Sequence, residues 1–361
     1  MQNIPIVEAR ELYTTDLLDT YKSRPRPTGF LTALSKEKVT NSKYVSLEVS
    51  RAYEAIAVSV ERGTEGNRNK MPVSSNKNFL PPFYREYYDI TELSHYDYMF
   101  GQNASSISSG TYADFIDEAS DQVGMLQDKV DRAVEKQWAD VLQTGIIKTI
   151  GALESVYIDF KRKAASLKAL TAGNTWADVD PVLSLKDACI FLRTVGKSTD
   201  STFMCIMDDL SLQTLINSTA VQNRGKIFNY ALDTLHPPIR QSSGYAIHGA
   251  ISVGSWIMVL ATYPQYYDAP IYDGSGNITG YLPTPYINPK TAIVIPMNPD
   301  FTTAAAGVPQ LVAPGSQAEK QKYHFGNYVD QRLSKHVFDI KSAIVALPKA
   351  IDQMYTIQTL L

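Results

Sequence analysis

The chain has 361 residues, which is long enough for one large domain or two ordinary domains with a sizeable buried core. Hydrophobic residues make up 44% and charged residues 20%, which is a globular composition with fewer charges than average. The formal net charge of −3 excludes a global electrostatic argument for nucleic-acid binding. The 22 tyrosines favour a protein with extensive interfaces, although a tyrosine-rich enzyme is also compatible with this composition.

The two cysteines, Cys189 and Cys205, each lie inside an apolar run, which predicts buried free thiols in a reducing compartment. The first residues carry no basic-then-apolar signal, and no run of about 18 apolar residues is present to span a membrane. We therefore expect a soluble protein that is made in a cytosol and contacts no membrane.

Residues 1–45 are predicted to form an extended N-terminal arm. The stretch Arg24-Pro-Arg-Pro-Thr-Gly-Phe30 has two prolines one residue apart and a glycine, which excludes the interior of a helix. Residues 22–43 carry six bases and one acid, a net charge of +5. Such an arm requires an anchor outside itself. The candidate anchoring residues are Phe30, Leu31 and Leu34.

Residues 44–60 alternate with period two and are rich in β-branched side chains, which predicts strand. The polar, glycine-containing stretch 61–70 follows, and a return leg runs through Phe79 and Tyr84 to Ile90. The pattern predicts a long hairpin that buries little of its own surface. A projection of this kind is typical of a contact with a partner.

One long amphipathic helix is predicted from Thr111 to about Gln143. Apolar residues recur at three- and four-residue intervals, Asp114 follows Thr111 at the capping-box spacing, and Thr144-Gly145 ends the pattern. At 1.5 Å per residue this helix is about 50 Å long, which is more than a compact domain of ordinary diameter needs. It carries eight acids and three bases, a net charge of −5. A coiled coil fits less well, because a heptad seam drifts from these positions.

Beyond the long helix the predicted elements are mixed, which gives an α+β fold class with the arm and the long hairpin outside the core. Two further helices are predicted, one over 184–195 capped by Ser184 and one from Asp208 to Asn217. A hairpin is predicted over 271–282. Strands are predicted at 155–160, 203–207, 250–263 (as a pair), 291–297, 337–340, 344–347 and 355–360.

No motif in the sequence predicts an enzyme or a bound cofactor. The glycine-rich stretch 274–280 lacks the lysine of a phosphate loop and lies between two strand-like runs, which favours a hairpin turn. The five histidines do not fall at helical ligand spacing, and neither cysteine has a Cys-x-x-Cys partner, so no zinc site is predicted. The pair Asp208-Asp209 is interpreted as a helix N-terminus and not as a catalytic pair.

Several short motifs follow one another along nearly the whole chain, in an order that is more specific than any one of them. They are Pro25-Arg-Pro-Thr-Gly-Phe-Leu31, Thr40, the strand 44–49, Ala55-Ile-Ala-Val-Ser-Val-Glu-Arg-Gly63, Val141-Leu-Gln-Thr-Gly145, Tyr157-Ile-Asp-Phe160, Thr175-Trp176, Asp180-Pro181, Met207-Asp208 and Gly280-Tyr-Leu-Pro283. In this order they resemble the major capsid protein of tailed phages, of the phage lambda protein E type. The pair Leu34-Ser35 departs from that family, which often has paired aromatic residues at this place.

The resemblance implies the Hong Kong 97-type capsid fold, with an N-terminal arm, an extended E-loop hairpin, a P-domain with a long spine helix, and an A-domain. The expected divisions are 1–45 for the arm, 51–93 for the E-loop, 94–169 for the P-domain with the spine helix at 111–143, 170–330 for the A-domain, and 331–361 for C-terminal strands that return to the P-domain.

The resemblance also implies the function of a major capsid protein, a non-enzymatic late protein of the virion. Such subunits assemble in the host cytoplasm as hexamers and pentamers into an icosahedral shell around double-stranded DNA, which they contact without sequence specificity. The expected partners are other copies of the chain, scaffold and portal proteins, and a decoration protein. The alternatives are an encapsulin-like shell with protein cargo and a homo-oligomeric α+β enzyme with a tyrosine-lined pocket. No motif supports a covalent Lys–Asn cross-link, which needs a catalytic carboxylate beside it.

Charge predicts which residues lie at contacts between subunits. The basic arm is expected to run against the acidic edge of a spine helix, either its own or that of a neighbour. The E-loop tip, with a net charge of +2 over 61–77, is expected to lie across an adjacent subunit. The expected contact residues are Arg24, Arg26, Phe30, Arg62, Glu65, Arg68, Lys70, Lys77, Asp114, Asp117, Glu118 and Asp121.

Overall fold

A computed structural model describes residues 27–49, 75–91, 110–149, 157–222, 239–240, 244–273, 275, 277–308, 321–330 and 335–360. The helices in this part of the chain are α1 (Phe30–Ala33), α2 (Gly110–Thr144), α3 (Pro181–Thr194) and α4 (Asp209–Asn217). Two single 3-10 turns occupy Ala164–Ser166 and Ile351–Gln353. The predicted α+β class is confirmed.

The described strands are numbered in chain order. They are β1 (Lys36–Val39), β2 (Val45–Val49), β3 (Ser75–Phe79), β4 (Phe83–Thr91), β5 (Ile146–Lys148), β6 (Tyr157–Asp159), β7 (Leu167–Ala169), β8 (Thr202–Met207), β9 (Ile239–Arg240), β10 (Ala246–Val253), β11 (Trp256–Thr262), β12 (Tyr266–Tyr272), β13 (Ile278–Pro285), β14 (Thr291–Pro296), β15 (Phe301–Ala305), β16 (His324–Asp330), β17 (Lys335–Pro348) and β18 (Tyr355–Gln358).

The chain divides into two compact units. The first comprises residues 1–28, 83–133 and 321–342, and the second comprises residues 29–82, 134–320 and 343–361. Each unit is described by itself below, within the residues that the structure covers.

The second unit is built around a seven-stranded mixed sheet in the order β7-β18-β14-β8-β11-β10-β9. Strands β8 and β11 are parallel, whereas β14 is antiparallel to both of its neighbours. The central strands β8 and β14 are almost wholly apolar and buried, as expected for strands that are covered on both faces. Leu185 and Leu192 of α3 and Leu212 of α4 lie in the core cluster of this sheet.

The last strand, β18, lies between β7 and β14 in this same sheet. Its Tyr355 and Ile357 are buried in the core that α3 also enters. β7 lies in the segment predicted to be the P-domain and β14 in the segment predicted to be the A-domain, so the return of 331–361 to the P-domain stays a prediction. Alternating apolar residues predict a strand, but they do not say which sheet it joins.

A second sheet in this unit contains β1, β15 and the residues of β17 from 344 onward. β1 is parallel to β15, from Lys36 opposite Thr302 to Val39 opposite Ala305. β15 in turn is antiparallel to β17, and each of its five residues is buried. The later part of the predicted arm is therefore an edge strand of a sheet, and its anchors Phe30 and Leu31 are buried as expected.

Two antiparallel strand pairs in this unit confirm predicted hairpins. β2 and β3 pair from Val45 opposite Phe79 to Val49 opposite Ser75, which forms the base of the long hairpin. Its tip lies outside the described residues. The predicted return leg is shorter than expected, because residues 84–90 belong to β4, which pairs with β17. β12 and β13 form the hairpin about residue 275, longer at both ends than the sequence predicted.

Helix α2 runs from Gly110 to Thr144, which confirms the predicted helix to within one residue at each end. Gly145 follows in the left-handed conformation with φ 76°, and its N–H donates to the carbonyl of Val141. Nη1 of Arg162 donates to the carbonyl of Leu142 at 2.8 Å, so a second terminal carbonyl is satisfied. Burial lowers the pKa of this guanidinium to about 10. The predicted stop signal is thus confirmed.

Helix α3 begins earlier than predicted. Its N-cap is Asp180, whose Oδ1 accepts from the N–H of Val182 at 2.9 Å, and Pro181 is its first residue. Ser184 is not the cap; its hydroxyl accepts from Nε1 of Trp176 and donates to the carbonyl of Pro181. The Asp-Pro pair starts the helix because proline is preorganised for the first helical position.

Other predicted elements are close to the observed ones, with three differences. Asp208 is the N-cap of α4 as predicted, but its side chain makes no capping hydrogen bond. The runs 337–340 and 344–347 belong to one continuous strand, β17. Strands β1, β5, β7, β9, β15 and β16 were not predicted. The first four are only two to four residues long, and the threonine- and alanine-rich sequence 301–305 and the polar sequence 324–330 lack a strong apolar alternation.

In the first unit, three ion pairs link β4 to its neighbours. β4 pairs with β17, and β16 pairs antiparallel with residues 335–341 of the same strand. The ion pairs are Arg85–Asp339 at 3.0 Å, Lys335–Asp89 at 2.6 Å and Lys129–Glu86 at 3.4 Å. The hydrogen bond from Lys335 lowers the pKa of Asp89.

The Asp339 side chain is 1% exposed, and it is the buried member of this set. Nε and Nη2 of Arg85 both donate to its Oδ2, and Nζ of Lys341 lies 3.2 Å from the same atom. Gly326 lies opposite Asp339 in the β16–β17 register, and a Cβ at this position would collide with the carboxylate. The glycine leaves the space that the buried acid occupies.

Gly145→Ala is expected to destabilise the protein more than Gly173→Ala. Both glycines have φ near +80°, where a side chain costs about 1–2 kcal/mol. Only at Gly145 would the new Cβ meet another atom, Cβ of Arg162 at 2.7 Å, whereas Gly173 has nothing within 4 Å. Denaturant unfolding should show an additional loss of about 1–3 kcal/mol for the Gly145 variant. Equal losses would contradict the close approach of Arg162.

Asp339→Asn is expected to lower the free energy of unfolding by about 1–3 kcal/mol, because Arg85 and Lys341 lose a buried anionic acceptor. Asp89→Asn is the matched control in the same strand set. Its side chain is 35% exposed, so the loss there should stay below about 1 kcal/mol. Chemical denaturation of the two variants measures the difference, and a larger loss for the Asp89 variant would refute this ranking.

Candidate arm-docking site

The arm segment 29–35 is held on α2 by a buried carboxylate. Gly29 is the N-cap of α1 and provides no side-chain cap, so the first N–H groups of α1 need another acceptor. Glu135 provides it: Oε1 accepts from the N–H of Leu31 at 2.7 Å, and Oε2 accepts from the N–H of Thr32 at 2.9 Å. One acidic side chain of the long helix therefore caps a turn that is more than 100 residues away in sequence.

Glu135 is 1% exposed, and a charge at this depth requires several strong partners. Two hydroxyls complete its set. Oγ1 of Thr32 donates to Oε2 at 2.7 Å, and the phenol of Tyr263 donates to Oε1 at 2.9 Å. Each carboxylate oxygen thus accepts two hydrogen bonds, which disperses the negative charge over four donors.

A row of aromatic rings extends from the arm along this site. Phe30 stacks on Tyr245 with centroids 4.0 Å apart and lies 5.3 Å from Tyr263. Tyr263 contacts Tyr286 at 5.9 Å, and Tyr286 contacts Tyr267 at 5.0 Å. Burial raises the pKa of Tyr267. The row joins the arm to the first residues of β12 through side chains of one unit.

Trp138 and Gln137, on the next turn of α2, bind the second sheet of the unit. Nε1 of Trp138 donates to Oγ1 of Thr303 at 2.9 Å, and that hydroxyl also lies 2.6 Å from Oγ of Ser35. Gln137 donates to the carbonyl of Ile344 and accepts from the N–H of Ala346. The helix therefore contacts the arm segment twice, at Glu135 and through Thr303.

Gln143 fixes the chain that follows β13. Its Nε2 donates to the carbonyl of Tyr286 at 2.8 Å, and its Oε1 accepts from the N–H of Asn288 at the same distance. Together Glu135, Gln137 and Gln143 supply hydrogen-bond partners to backbone N–H and C=O groups that no helix or sheet hydrogen bond satisfies. These polar side chains can be buried because their polar groups have hydrogen-bond partners within the protein.

Of the residues expected at subunit contacts, Phe30 is the one whose side chain is described. It is 4% exposed and packed against rings of its own chain, so its ring has little surface left for another subunit. Arg24, Arg26, Arg62, Glu65, Arg68 and Lys70 lie outside the described residues. Lys77 lies in β3, and Asp114, Asp117, Glu118 and Asp121 lie in α2, but their side chains are outside the described part.

The hypothesis that the basic arm meets the acidic half of the spine helix therefore stays a prediction. The described contact lies elsewhere on the helix, at Glu135, and the arm contributes neutral donors to it. In the sequence, Glu135 was one of the eight acids counted for the helix, and no role was predicted for it. A signal was present, because Glu135 precedes Trp138 by three residues and Leu142 by seven and so lies on the apolar stripe of the helix.

The described residues also bear on metal binding, on the two thiols and on membrane-spanning helices. Among these residues no group of three or more His, Cys, Asp or Glu side chains is arranged to hold a metal ion. Cys189 and Cys205 are buried free thiols, as predicted, and burial raises the pKa of Cys189 to about 12. None of the described helices is long and apolar enough to cross a membrane.

The sequence matches the family model of phage major capsid protein E over residues 13–352. The chain belongs to this family. It is therefore a capsid protein, as its sequence resemblance implied, and its function is the assembly of a capsid shell. No match was found among curated protein sequences.

One solved structure supports this assignment at the level of the fold, and two others are similar to a lesser degree. A prophage capsid protein of E. coli CFT073 superimposes with a TM-score of 0.58 at 15% identity, covering 96% of this chain and 99% of that chain. The capsid of cyanophage P-SCSP1u gives 0.49 at 10% identity, covering 93% and 89%. The SrpI encapsulin complex of Synechococcus elongatus PCC 7942 gives 0.43 at 9% identity, covering 99% and 96%. The capsid protein has the Hong Kong 97-type fold that the resemblance implied.

Glu135→Gln is expected to release the arm segment of the capsid protein. The amide nitrogen of glutamine replaces one oxygen that accepts two hydrogen bonds, which should cost about 2–3 kcal/mol. Hydrogen exchange of residues 29–35 should accelerate, because these backbone groups depend on the carboxylate. Glu86→Gln is the control, since Glu86 is 45% exposed and its pair with Lys129 is worth less than about 1 kcal/mol. Unchanged exchange in the Glu135 variant would refute the docking role.

Proposed function

We propose that copies of this capsid protein assemble as hexamers and pentamers that close an icosahedral shell around double-stranded DNA. The family match over residues 13–352 carries the proposal, because it covers nearly the whole chain and names a phage major capsid protein. The likeness to a prophage capsid protein over 96% of the chain supports it at the level of the fold. The role is structural.

Domain roles follow from the same resemblance. We assign the arm to 1–45, the E-loop to 51–93, the P-domain to 94–169, the A-domain to 170–330 and the C-terminal strands to 331–361. The long helix supports the P-domain assignment by its length of 35 residues. The antiparallel base of the hairpin between β2 and β3 supports an E-loop that projects beyond it.

The docked arm segment, residues 29–39, supports a subunit whose contact segments are ordered. The four hydrogen bonds at Glu135 and the parallel pairing of β1 with β15 hold residues 29–39 in place. A shell built from many copies requires such defined contact points, because small angular errors accumulate around closed symmetry.

The proposed partners are other copies of the chain, scaffold and portal proteins, and a decoration protein, with assembly in the host cytoplasm. DNA is proposed to be enclosed without sequence-specific contacts, in accordance with the small net charge of −3. An encapsulin-like shell differs in its contents. The two functions are distinguished by what the purified particle holds.

Negative-stain microscopy and sedimentation of the expressed protein test the proposal. Megadalton icosahedral particles are expected, and those from infected or induced cells should contain nuclease-protected double-stranded DNA. A discrete small oligomer would overturn the capsid function. Particles that hold an enzyme in place of DNA would support the encapsulin-like alternative.

Reversing the charge of the E-loop tip is expected to reduce particle yield while the subunit stays folded. The test variant replaces Arg62, Arg68, Lys70 and Lys77 by Glu, because these bases are proposed to lie across an adjacent subunit. The control variant carries the same charge change at exposed bases elsewhere. Its positions are Lys129, Lys148, Lys161 and Lys349.

Particle yield by sedimentation, and folding by circular dichroism of the unassembled subunit, are the two measurements. The ion pairs lost in the control are exposed to solvent, which screens them, so its subunit should remain folded. An unaffected yield in the tip variant would count against the E-loop contact. An equal loss in both variants would indicate an effect of net charge and not of position.

A further inference from the structure

The β12–β13 hairpin is a two-stranded sheet that pairs with no other described strand. Its base is fixed: the N–H of Tyr286 donates to the carbonyl of Gln265, and the ring of Tyr267 packs on Tyr286. An isolated two-stranded ribbon is marginally stable in water, and it usually gains stability by packing one face on a core. The exposure of its side chains shows how far that packing extends.

The register of the hairpin shows that large apolar side chains are exposed on both faces. Tyr266 opposite Pro285 and Pro270 opposite Tyr281 place the two tyrosines on one face. Ala269 opposite Leu282 and Ile271 opposite Gly280 place the leucine and the isoleucine on the other face. These four side chains, with Ile278 near the turn, are 46–64% exposed. Neither face is therefore covered by the described part of the chain.

The exposed apolar area of the hairpin is a sizeable part of what a protein–protein contact buries. A tyrosine side chain buries about 150–250 Å² when covered, so the five residues together present roughly 500 Å² of apolar surface. They lie on two opposite faces, so each face presents roughly 250 Å². A standard interface buries about 800 Å² per partner, so each face supplies about a third of one side of a stable contact.

The edges of the hairpin are closed to strand addition. Pro270, Pro283 and Pro285 all fall in the same alternating set of cross-strand pairs. Proline has no N–H, so these are the non-hydrogen-bonded pairs of the ladder. In such pairs the backbone N–H and C=O groups point away from the partner strand, toward the outer edges of the hairpin. The outer edge of β13 therefore lacks two donors and that of β12 lacks one. A partner must pack on the faces and not extend the ribbon.

The charge of the hairpin further limits the kind of partner that it can bind. Residues 266–285 contain two acids, Asp268 and Asp273, and no base. This surface repels DNA and favours an apolar protein surface that carries cations. The outer side of α3 has that chemistry, since Leu183, Lys186 and Ile190 are all exposed at helical spacing. The acid on the same side, Asp187, is paired with Lys168 at 2.7 Å, so Lys186 leaves this surface with a positive charge. A second copy of the chain therefore offers a surface complementary to the hairpin.

We propose that the β12–β13 hairpin inserts between neighbouring copies of this chain and that both of its faces are covered by second copies. The inference rests on the proposed shell assembly and names the segment that carries one of its contacts. The rigid base at Tyr267 and Tyr286 sets the direction of the ribbon, and the apolar faces supply the free energy.

Two double variants test the two faces separately. Tyr266→Ser with Tyr281→Ser removes one apolar face, and Ile271→Ser with Leu282→Ser removes the other. Each is expected to lower the yield of megadalton particles by at least about tenfold, because the buried side chains are each worth more than about 1.4 kcal/mol. Thermal denaturation of the unassembled subunit should be unchanged, since the altered residues are exposed.

Tyr157→Ser is the matched control, because Tyr157 is 59% exposed on β6, which is not part of the hairpin. Its particle yield should stay within about twofold of that of the unaltered chain. An equal loss in the control would overturn the assignment to the hairpin. Normal yield in both double variants would also overturn it. If the unaltered chain forms no particles, the proposed function fails together with this inference.

A photo-crosslinker identifies the occupant. Benzoylphenylalanine is placed at position 281 for one face and at position 282 for the other, and particles are irradiated. The expected product at both positions has twice the mass of the chain, and its peptides come from a second copy. Adducts to a different protein, or adducts confined to the same chain, would overturn the proposal while the particles themselves would still support shell assembly.

Discussion

The carboxylate of Glu135 is the interaction on which the described arm depends. Removing an ionised group from water is costly unless several donors replace its hydration. Leu31, Thr32 and Tyr263 supply four such donors, and they come from segments on either side of the helix in sequence. The buried charge is tolerated only when all of these segments are in place. This couples the position of the arm to the folding of the second unit.

Buried amides extend the same principle along α2. Gln137 and Gln143 each bond backbone groups of segments that lie more than 140 residues away, and Trp138 reaches Thr303. Apolar packing alone does not determine what the helix contacts, because its buried polar side chains specify the backbone atoms that it binds. The same contacts orient Tyr286, from which the β12–β13 hairpin leaves. Nothing comparable covers the faces of that hairpin in the described chain, and assembly is the step that we propose covers them.

The sequence determined the local elements of this capsid protein well. The three- and four-residue apolar spacing and the Thr-Gly stop predicted α2 to within one residue at each end, because helix periodicity and left-handed caps are local properties. The buried cysteines, strand β8 and both hairpins followed from equally local patterns. The order of motifs along the chain indicated the family, and the family model confirms it over residues 13–352.

Only the tertiary structure decided where those elements pair and which polar residues are buried. β18 joins the sheet of β8 and β14, and β1 becomes an edge strand, because strand pairing depends on partners far away in sequence. Glu135 resembled the exposed acids of the helix in sequence, and its role appeared once four distant donors surrounded it. The composition determines the net charge of the chain. A contact site also depends on which charged groups are buried away from water, and only the folded structure determines which ones are buried.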